Sequence, residues 1–277
     1  MPPPEPYYQD EHCTIYHGDC LELMKFLPKA STDLILTDPP YGTTACKWDK
    51  VASLPLMWAA FDEIIKPSGA MVITASQPFS SILVASNLNQ FRYEWIWNKK
   101  IPSGMAYARY QPMRQHETVL VFGKGKIVYN AQKTQREKPI KSGGMTGGES
   151  TRGNPQSWKP LKKTYDTKNP TTILAFDKVR KGSLHPTQKP IPLFEYLIKT
   201  YAVEGALILD PFMGSGTTLI AARNLGFKSI GIDQDARYCE IAKKRLTGEI
   251  GLTVQEQKLV DAKAAGQMNL LDLIDNH

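Results

Sequence analysis

The feature that most constrains this chain is the segment at residues 37–42, which reads Thr-Asp-Pro-Pro-Tyr-Gly and follows an apolar run at residues 33–36. That run is typical of a short buried strand. Two consecutive prolines must end it, because proline cannot donate to a sheet ladder and keeps the preceding residue out of the helical region. The turn therefore stands just past a strand end, which is where open α/β sheets bind ligands.

The chemistry of this turn suits a nucleobase. The Asp38 carboxylate and the Pro39 backbone carbonyl only accept hydrogen bonds, so they match an exocyclic amino group. The Tyr41 ring can stack on a flat base, and the whole turn predicts a pocket for an extruded base. A plain Pro-Pro turn with a surface tyrosine is the alternative. The predicted catalytic residues are Asp38, Pro39, Pro40 and Tyr41.

A second motif, at residues 207–218, predicts a strand, a glycine-rich turn and the start of a helix. Its glycines allow a ligand to approach the backbone, and the helix N-terminus adds a favourable dipole for anions. Asp233 ends the next apolar run, 17 residues beyond Gly216, close to the spacing of the acid that binds ribose hydroxyls. Leu219 stands where a dinucleotide fingerprint has its third glycine, which argues against a nicotinamide or flavin dinucleotide.

Four acids each follow an apolar run, namely Asp19, Asp38, Asp210 and Asp233. Aspartate commonly caps helix N-termini, and that is the alternative for any single one of them. For all four, one shared crevice at the carboxyl ends of parallel strands is the simpler interpretation.

Together, the two motifs resemble the DNA amino-methyltransferases that use S-adenosylmethionine. The catalytic motif precedes the cofactor motif, as in the beta class with Asp-Pro-Pro-Tyr, a circular permutation of the commoner order. The resemblance extends from about Thr14 to about Leu246, with the middle third weakly matched. It implies a doubly wound, Rossmann-like α/β sheet, mostly parallel with an antiparallel edge, and an irregular basic DNA-recognition insert.

The resemblance also implies the cofactor site. Residues 185–190, His-Pro-Thr-Gln-Lys-Pro, match a segment that lines the methionine end of S-adenosylmethionine, and Asp19 matches the residue that faces its adenine. No metal site is expected, because Cys13, Cys20, Cys46 and Cys239 lie far apart without ligand spacing. The predicted cofactor-binding residues are Asp19, Cys20, Asp38, His185, Thr187, Lys189, Asp210, Phe212, Gly214, Ser215, Gly216, Thr217 and Asp233.

Positive charge is concentrated in the middle of the chain. Residues 101–200 carry 18 Lys and Arg against 6 Asp and Glu, whereas the rest carries 16 against 21. A basic segment with interspersed aromatic residues on an otherwise acidic body predicts a nucleic-acid surface, and a solubilising loop is the alternative. The predicted DNA-binding residues are Trp48, Arg109, Arg114, Lys133, Arg136, Lys141, Arg152 and Lys159.

The predicted divisions follow these patterns. Residues 1–123 form the catalytic half of the methyltransferase domain, and residues 183–248 form its cofactor half. Residues 124–182, where periodicity fails, are the predicted target-recognition insert, with a disordered linker as the alternative. Residues 249–277 form a C-terminal tail.

The expected activity is methylation of the exocyclic N6 of adenine in double-stranded DNA. Cytosine-N4 methylation makes the same hydrogen bonds, but by resemblance the cytosine enzymes more often carry serine where Asp38 stands. RNA is a weaker alternative substrate. The rival from another class is a non-catalytic DNA-binding module with a degenerate nucleotide fold.

Further expectations concern partners and location. The chain has neither a signal-like start nor a membrane-length apolar run, so a cytoplasmic location without membrane contact is expected. A homodimer and a companion restriction nuclease are possible by resemblance, and a solitary or phage-borne enzyme is the alternative. Residues Gln267 to Leu271 resemble a sliding-clamp-binding peptide, against the plainer interpretation of an amphipathic turn.

Overall fold

The computed structural model describes residues 4–42, 51–141, 164–179, 183–185 and 187–250, with residues 257 and 261. The strands are β1 (Tyr8–Gln9), β2 (Cys13–His17), β3 (Thr32–Thr37), β4 (Ile65–Ala75), β5 (Phe91–Ser103), β6 (Arg114–Phe122), β7 (Thr134–Lys141), β8 (Thr164–Lys168), β9 (Ile173–Ala175), β10 (Leu207–Asp210) and β11 (Lys228–Asp233). The helices are α1 (Cys20–Leu23), α2 (Leu54–Ile64), α3 (Phe79–Ser86), α4 (Ile191–Tyr201), α5 (Thr217–Asn224) and α6 (Ala236–Thr247).

Nine strands form one sheet in the order β1-β2-β11-β10-β3-β4-β6-β5-β9. The central strands β2, β11, β10, β3 and β4 are parallel, whereas β6 runs antiparallel to both of its neighbours. The predicted fold class is confirmed. The reversed strand β6 lies inside the sheet rather than at its edge, because β5 and β9 pair outside it.

Side-chain alternation along the buried strands builds a core on each face of the sheet. In β3, Leu34 and Leu36 pack in a cluster with α4, α5 and α6, whereas Ile35 packs in a second cluster with α2 and α3. A parallel strand covered on both faces must be apolar at successive positions, which is why β3 reads as a continuous apolar run. Helices on both faces make the sheet doubly wound.

The strand order places a switch point in the middle of the sheet. Strand β10 pairs with β11 on one side and with β3 on the other. At such a point, the connections leave the carboxyl ends of adjacent strands in opposite directions and open a crevice. The crevice lies between the Asp-Pro-Pro-Tyr turn after β3 and the glycine-rich turn after β10.

The chain divides into two compact units, a body (Met1–Asn130 and Thr172–His277) and a hairpin unit (Ala131–Thr171). The hairpin unit lies within the insert predicted at residues 124–182 but is shorter. Ile127 packs against the body's core, and the Asn130 amide donates to the Thr200 carbonyl at 2.7 Å. At the other end, β9 pairs with β5 in the body's sheet.

The prediction that the insert at residues 124–182 is irregular is wrong where β7 and β8 pair antiparallel. These strands are mostly exposed and polar, so they have no apolar alternation that sequence inspection could detect. Trp48, Arg152, Lys159 and the peptide Gln267 to Leu271 lie outside the described residues. None of the helices in the described ranges is long and apolar enough to cross a membrane.

We expect Tyr201→Phe to destabilise the body. The Trp95 indole N–H donates to the Tyr201 hydroxyl at 2.6 Å in the buried core, and that hydroxyl donates onward to Tyr93 at 3.1 Å. Removing the acceptor leaves a buried N–H without a partner, which costs about 1–3 kcal/mol. Urea unfolding measures the loss. Tyr93→Phe keeps the indole contact and is the control, so equal losses in both variants would contradict this account.

Candidate active site

A cavity of about 640 Å³ opens at the carboxyl ends of the central strands, a size within the range of small-molecule sites. All of the residues that line it belong to the body. The four acids that end apolar runs in the sequence all line this cavity: Asp19, Asp38, Asp210 and Asp233. Their common placement follows from the parallel strands that precede them.

The Asp38 carboxylate is the most heavily bonded group of the Asp-Pro-Pro-Tyr turn. Its Oδ1 accepts from the Tyr41 hydroxyl at 2.6 Å and from the Thr74 hydroxyl at the end of β4. Its Oδ2 accepts from the Lys189 ammonium at 2.6 Å. These three donors fix the carboxylate, while Pro39 and Pro40 line the cavity beside it.

Tyr41 is held by contacts on its ring and on its hydroxyl. The ring stacks on Phe79 with centroids 5.3 Å apart and planes at 20°, so Phe79 covers one face. Burial raises the pKa of the Tyr41 hydroxyl well above its usual value, and the Asp38 charge adds to the effect. The hydroxyl is therefore a donor at any working pH, and stacking of the ring on a base stays a prediction.

The Lys189 side chain points to the Asp-Pro-Pro-Tyr turn. It is 5% exposed, and its ammonium lies 2.6 Å from Asp38 Oδ2 and 3.5 Å from Glu117 Oε2. Burial lowers the pKa of this ammonium, but the two carboxylates outweigh that effect and raise the pKa above its usual value. Lys189 is thus a charged partner of the proposed catalytic acid.

Asp210 holds the start of the glycine-rich turn. Its Oδ1 accepts from the Thr37 hydroxyl at 2.6 Å and from the Phe212 amide at 3.1 Å, and its Oδ2 accepts from the Thr218 hydroxyl. Burial raises the pKa of Asp210 to about 7, although these donors lower it. The side chain is 3% exposed, so its partners indicate an organising role at the cavity wall.

The two predicted loop glycines have different roles. Gly214 lines the cavity with φ at +49°, and its amide donates to Asp233 Oδ2 at 3.0 Å. Gly216 does not line the cavity. Its φ is +78°, and an added Cβ would lie 2.8 Å from the Ala242 Cβ on α6. Gly216 is therefore required for the close packing of α6 on the turn.

Ser215 and Thr217 follow the loop into α5, and both line the cavity. The Arg245 guanidinium, on α6, donates to the Ser215 carbonyl at 2.6 Å and to its hydroxyl at 3.3 Å. The Thr217 hydroxyl donates to the Lys189 carbonyl at 3.4 Å. These contacts fix the loop against both α6 and the segment that carries Lys189.

Asp233 and Asp19 retain accepting capacity toward the cavity. Asp233 accepts one backbone amide on each oxygen, from Gly214 and from Asp235 at 2.8 Å, and a carboxylate offers about four lone pairs. Burial raises the pKa of Asp233. Asp19 is exposed and caps α1 by accepting from the Leu21 amide at 2.7 Å. It is therefore both a helix cap and a cavity-lining acid.

The remaining predicted cofactor residues also line the cavity: Cys20, His185, Thr187 and Phe212. The His185 ring packs on Tyr238 with centroids 4.5 Å apart, and burial lowers its pKa. Burial raises the pKa of the Cys20 thiol to about 12, so the thiol stays protonated and unreactive. Among the described residues, no group of three His, Cys, Asp or Glu could hold a metal ion.

Sequence inspection missed several residues of this site. Thr74 follows an apolar run at residues 70–73, a signal that could have found it. Glu117 lies in the first half of β6 and reaches the site because β6 runs antiparallel to β4, which the sequence does not specify. The remaining missed residues are Lys99 on β5 and Tyr238 and Arg245 on α6. Only the fold determines which side chains of these two elements face the site.

The predicted DNA-binding residues within the described ranges are on two surfaces. Arg109 and Arg114 are exposed in the body, at the connection from β5 to β6. Lys133, Arg136 and Lys141 belong to the hairpin unit, where the Arg136 side chain also donates to the Thr167 carbonyl at 3.0 Å. Their contact with DNA stays a prediction.

Comparison with known proteins agrees with this geometry. The family model for DNA methylases, N6_N4_Mtase, matches residues 32–244. The type II methyltransferase M2.DpnII of Streptococcus pneumoniae is 30% identical, over 88% of this chain and 93% of its own length. The DNA adenine methyltransferase YhdJ of Escherichia coli K12 is 27% identical, over 95% and 92%. The M1.HpyAVI–SAM complex is 29% identical, covers 84% of this chain and 99% of its own, and has a TM-score of 0.56.

The doubly wound sheet, the cavity at its switch point and the two motifs together define a class of enzyme. That class is a methyltransferase with a nucleotide-like cofactor site. The chain belongs to the N6_N4_Mtase family of DNA methylases. The resemblance stated from the two sequence motifs is therefore confirmed.

We expect the stability of the protein to fall as pH rises from about 4 to about 7, partly through Asp210. Its folded pKa of about 7 lies above the ordinary 3.8, so the native state holds this proton more tightly than the unfolded chain does. That stabilisation is complete below about pH 4 and is lost as pH rises through about 7.

Asp210→Asn imitates the protonated acid and removes this dependence. Urea unfolding at pH 5 and pH 8 should show a smaller loss of unfolding free energy in the variant than in the wild type. Equal losses in the two proteins would show that Asp210 does not titrate in this range.

Proposed function

We propose that this enzyme transfers a methyl group from S-adenosylmethionine to the N6 amino group of adenine in double-stranded DNA. The observation that carries the proposal is the fixed Asp38 carboxylate at the edge of the cavity, beside the Pro39 turn. Two neighbouring acceptors match the two hydrogens of an exocyclic amino group. The relative YhdJ, named as a DNA adenine methyltransferase, supports adenine as the base.

The cavity residues fit S-adenosylmethionine. Asp233 has lone pairs left for ribose hydroxyls, and Asp19 lines the same cavity. Gly214, with its positive φ, allows close approach of the methionine part, and the Phe212 ring adds an apolar surface. Similarity to the M1.HpyAVI–SAM complex supports the same cofactor. When bound, S-adenosylmethionine supplies an electrophilic methyl group on a positively charged sulfur.

The catalytic turn acts on the target amino group by hydrogen bonding. Asp38 and the Pro39 carbonyl accept its two hydrogens, which draws the nitrogen lone pair out of conjugation with the ring and makes it available for bonding to carbon. Formation of the nitrogen–carbon bond would break the methyl–sulfur bond, whose electron pair stays on a neutral thioether sulfur. One of the two amino hydrogens then leaves as a proton, and Asp38 is the base within reach of it. Positioning and a fixed electrostatic environment supply the rate enhancement.

The target base must leave the duplex to reach this turn, because base edges inside the stack are not accessible to a cavity. The exposed Arg109 and Arg114 of the body, together with the basic hairpin unit, support binding to DNA phosphates. A companion restriction nuclease, a homodimer and a clamp contact through Gln267 to Leu271 remain proposals; among the relatives, M2.DpnII is named as a type II methyltransferase.

We expect Asp38→Ala to lower methyl transfer by about a hundredfold or more, the usual cost of removing a group that stabilises the transition state. Transfer of a labelled methyl group to unmethylated DNA measures the rate. Thermal stabilisation by S-adenosylmethionine should persist and shows that the variant is folded. Unchanged methyl transfer would remove Asp38 from catalysis.

The identity of the base has a separate readout. Nucleoside analysis of the methylated DNA should give N6-methyladenine. N4-methylcytosine as the product would replace adenine with cytosine in the proposal while leaving the role of Asp38 intact.

We expect Asp233→Ala to raise the dissociation constant for S-adenosylmethionine about ten- to a hundredfold, since hydrogen bonds to a charged acceptor contribute about 1.5–3 kcal/mol. Calorimetric titration measures it. The control is Asp10→Ala, which removes an acid bound to Arg223 at 2.7 Å that does not line the cavity. An unchanged constant in Asp233→Ala would exclude the acid from the site.

A further inference from the structure

Four charged side chains form a chain beneath the Asp-Pro-Pro-Tyr turn. The Lys189 ammonium lies between Asp38 Oδ2, at 2.6 Å, and Glu117 Oε2, at 3.5 Å, and the Lys99 ammonium lies 3.2 Å from Glu117 Oε1. The two lysine side chains are 5% and 8% exposed. Two positive and two negative charges balance, which is the condition under which buried charges are tolerated.

The Asp38 carboxylate is crowded in this arrangement. Oδ1 already accepts from two hydroxyls, those of Tyr41 and Thr74, whereas Oδ2 accepts from the Lys189 ammonium. The lone-pair position left on this carboxylate is on Oδ2, so an incoming amino group meets the ammonium at that oxygen and competes with it. A buried ammonium displaced from its carboxylate needs another acceptor, since an unpaired charge in the interior is strongly unfavourable.

Glu117 offers that acceptor. Its Oε2 is buried and has no hydrogen-bond partner among the described residues, although its Oε1 is held by Lys99. Buried carboxylate oxygens are normally bonded, so the orphaned atom indicates an unused position. A shift of roughly 0.7 Å would shorten the Lys189–Glu117 distance from 3.5 Å to that of an ordinary charge-assisted hydrogen bond.

We propose that Glu117 is a positioning residue for methyl transfer, which receives the Lys189 ammonium when the target amino group takes its place on Asp38 Oδ2. The inference rests on the proposed function, because it requires an amino group at Asp38. Lys99 keeps the Glu117 carboxylate in place, and Lys189 stays paired throughout. Asp38 thus becomes available to the substrate without any buried charge losing its partner.

Glu117→Gln tests this directly, because it keeps the shape of the side chain and removes its charge. With a weaker acceptor at this position, the ammonium stays on Asp38 and obstructs the amino group. We expect kcat, measured at saturating S-adenosylmethionine and unmethylated DNA, to fall tenfold or more. The dissociation constant for S-adenosylmethionine should change less than twofold, because Glu117 does not line the cavity.

Two further variants separate positioning from structure. Asp33→Asn is the matched control: it neutralises a carboxylate that pairs with Lys66 at 2.7 Å near the start of β3, away from the cavity. Its kcat should equal that of the wild type. Glu117→Asp keeps the charge on a shorter side chain and should recover part of the activity that Glu117→Gln loses.

Three outcomes would overturn the proposal: a wild-type kcat in Glu117→Gln, equal losses in the Asp and Gln variants, or failure of both to fold, which would make Glu117 a structural ion-pair partner. Thermal stabilisation by S-adenosylmethionine reports folding in each case. Failure of the proposed function itself would be distinct, because the wild-type protein would then not methylate DNA.

Discussion

The parallel pairing of β3 with β10 is the contact on which the site depends. Thr37 ends β3, and its hydroxyl donates to Asp210 at the end of β10, across 173 residues of chain. Thr218, at the start of α5, donates to the same carboxylate and to the Leu36 carbonyl at 3.4 Å. The Asp-Pro-Pro-Tyr turn and the glycine-rich turn are thereby set at a fixed spacing, although they are far apart in the sequence.

Different surroundings give the acids of this rim different properties. Asp210 is enclosed by neutral donors, and burial raises its pKa to about 7, which suits an organising role. Asp38 instead lies against the Lys189 ammonium, within a balanced set of four charges. Among the described residues, Asp233 accepts from two backbone amides, and it keeps lone pairs toward the cavity. Strand ends place the acids together, and neighbouring side chains then separate their chemistry.

The sequence predicts those parts of the site that depend on local chemistry. Consecutive prolines must end β3, and a glycine-rich turn must open α5, so Asp38 and Gly214 could be placed on the rim from their neighbours alone. Residues brought in by distant pairing could not be found this way. Glu117 reaches the site only because β6 is reversed, and the packing role of Gly216 depends on Ala242, on a later helix.

The strands of the hairpin unit could not be predicted from the sequence either, because they are exposed rather than buried. Strands β7 and β8 are largely exposed and carry charged residues along their length. Since apolar alternation arises only where one face is buried, such strands have no sequence period to detect. The composition of this region indicates its basic character, but the sequence gives no sign that β7 and β8 pair.

The reversed direction of β6 also places exposed basic residues close in sequence to Glu117, one of the four charged residues beneath the Asp-Pro-Pro-Tyr turn. Strand β5 runs parallel to β4, so β5 ends and β6 begins at the rim where β3 and β10 end. The connection between them exposes Arg109 and Tyr110, and β6 then carries Arg114 and, three residues later, Glu117. A phosphate bound at Arg114 would therefore engage the strand that holds the Lys189 acceptor.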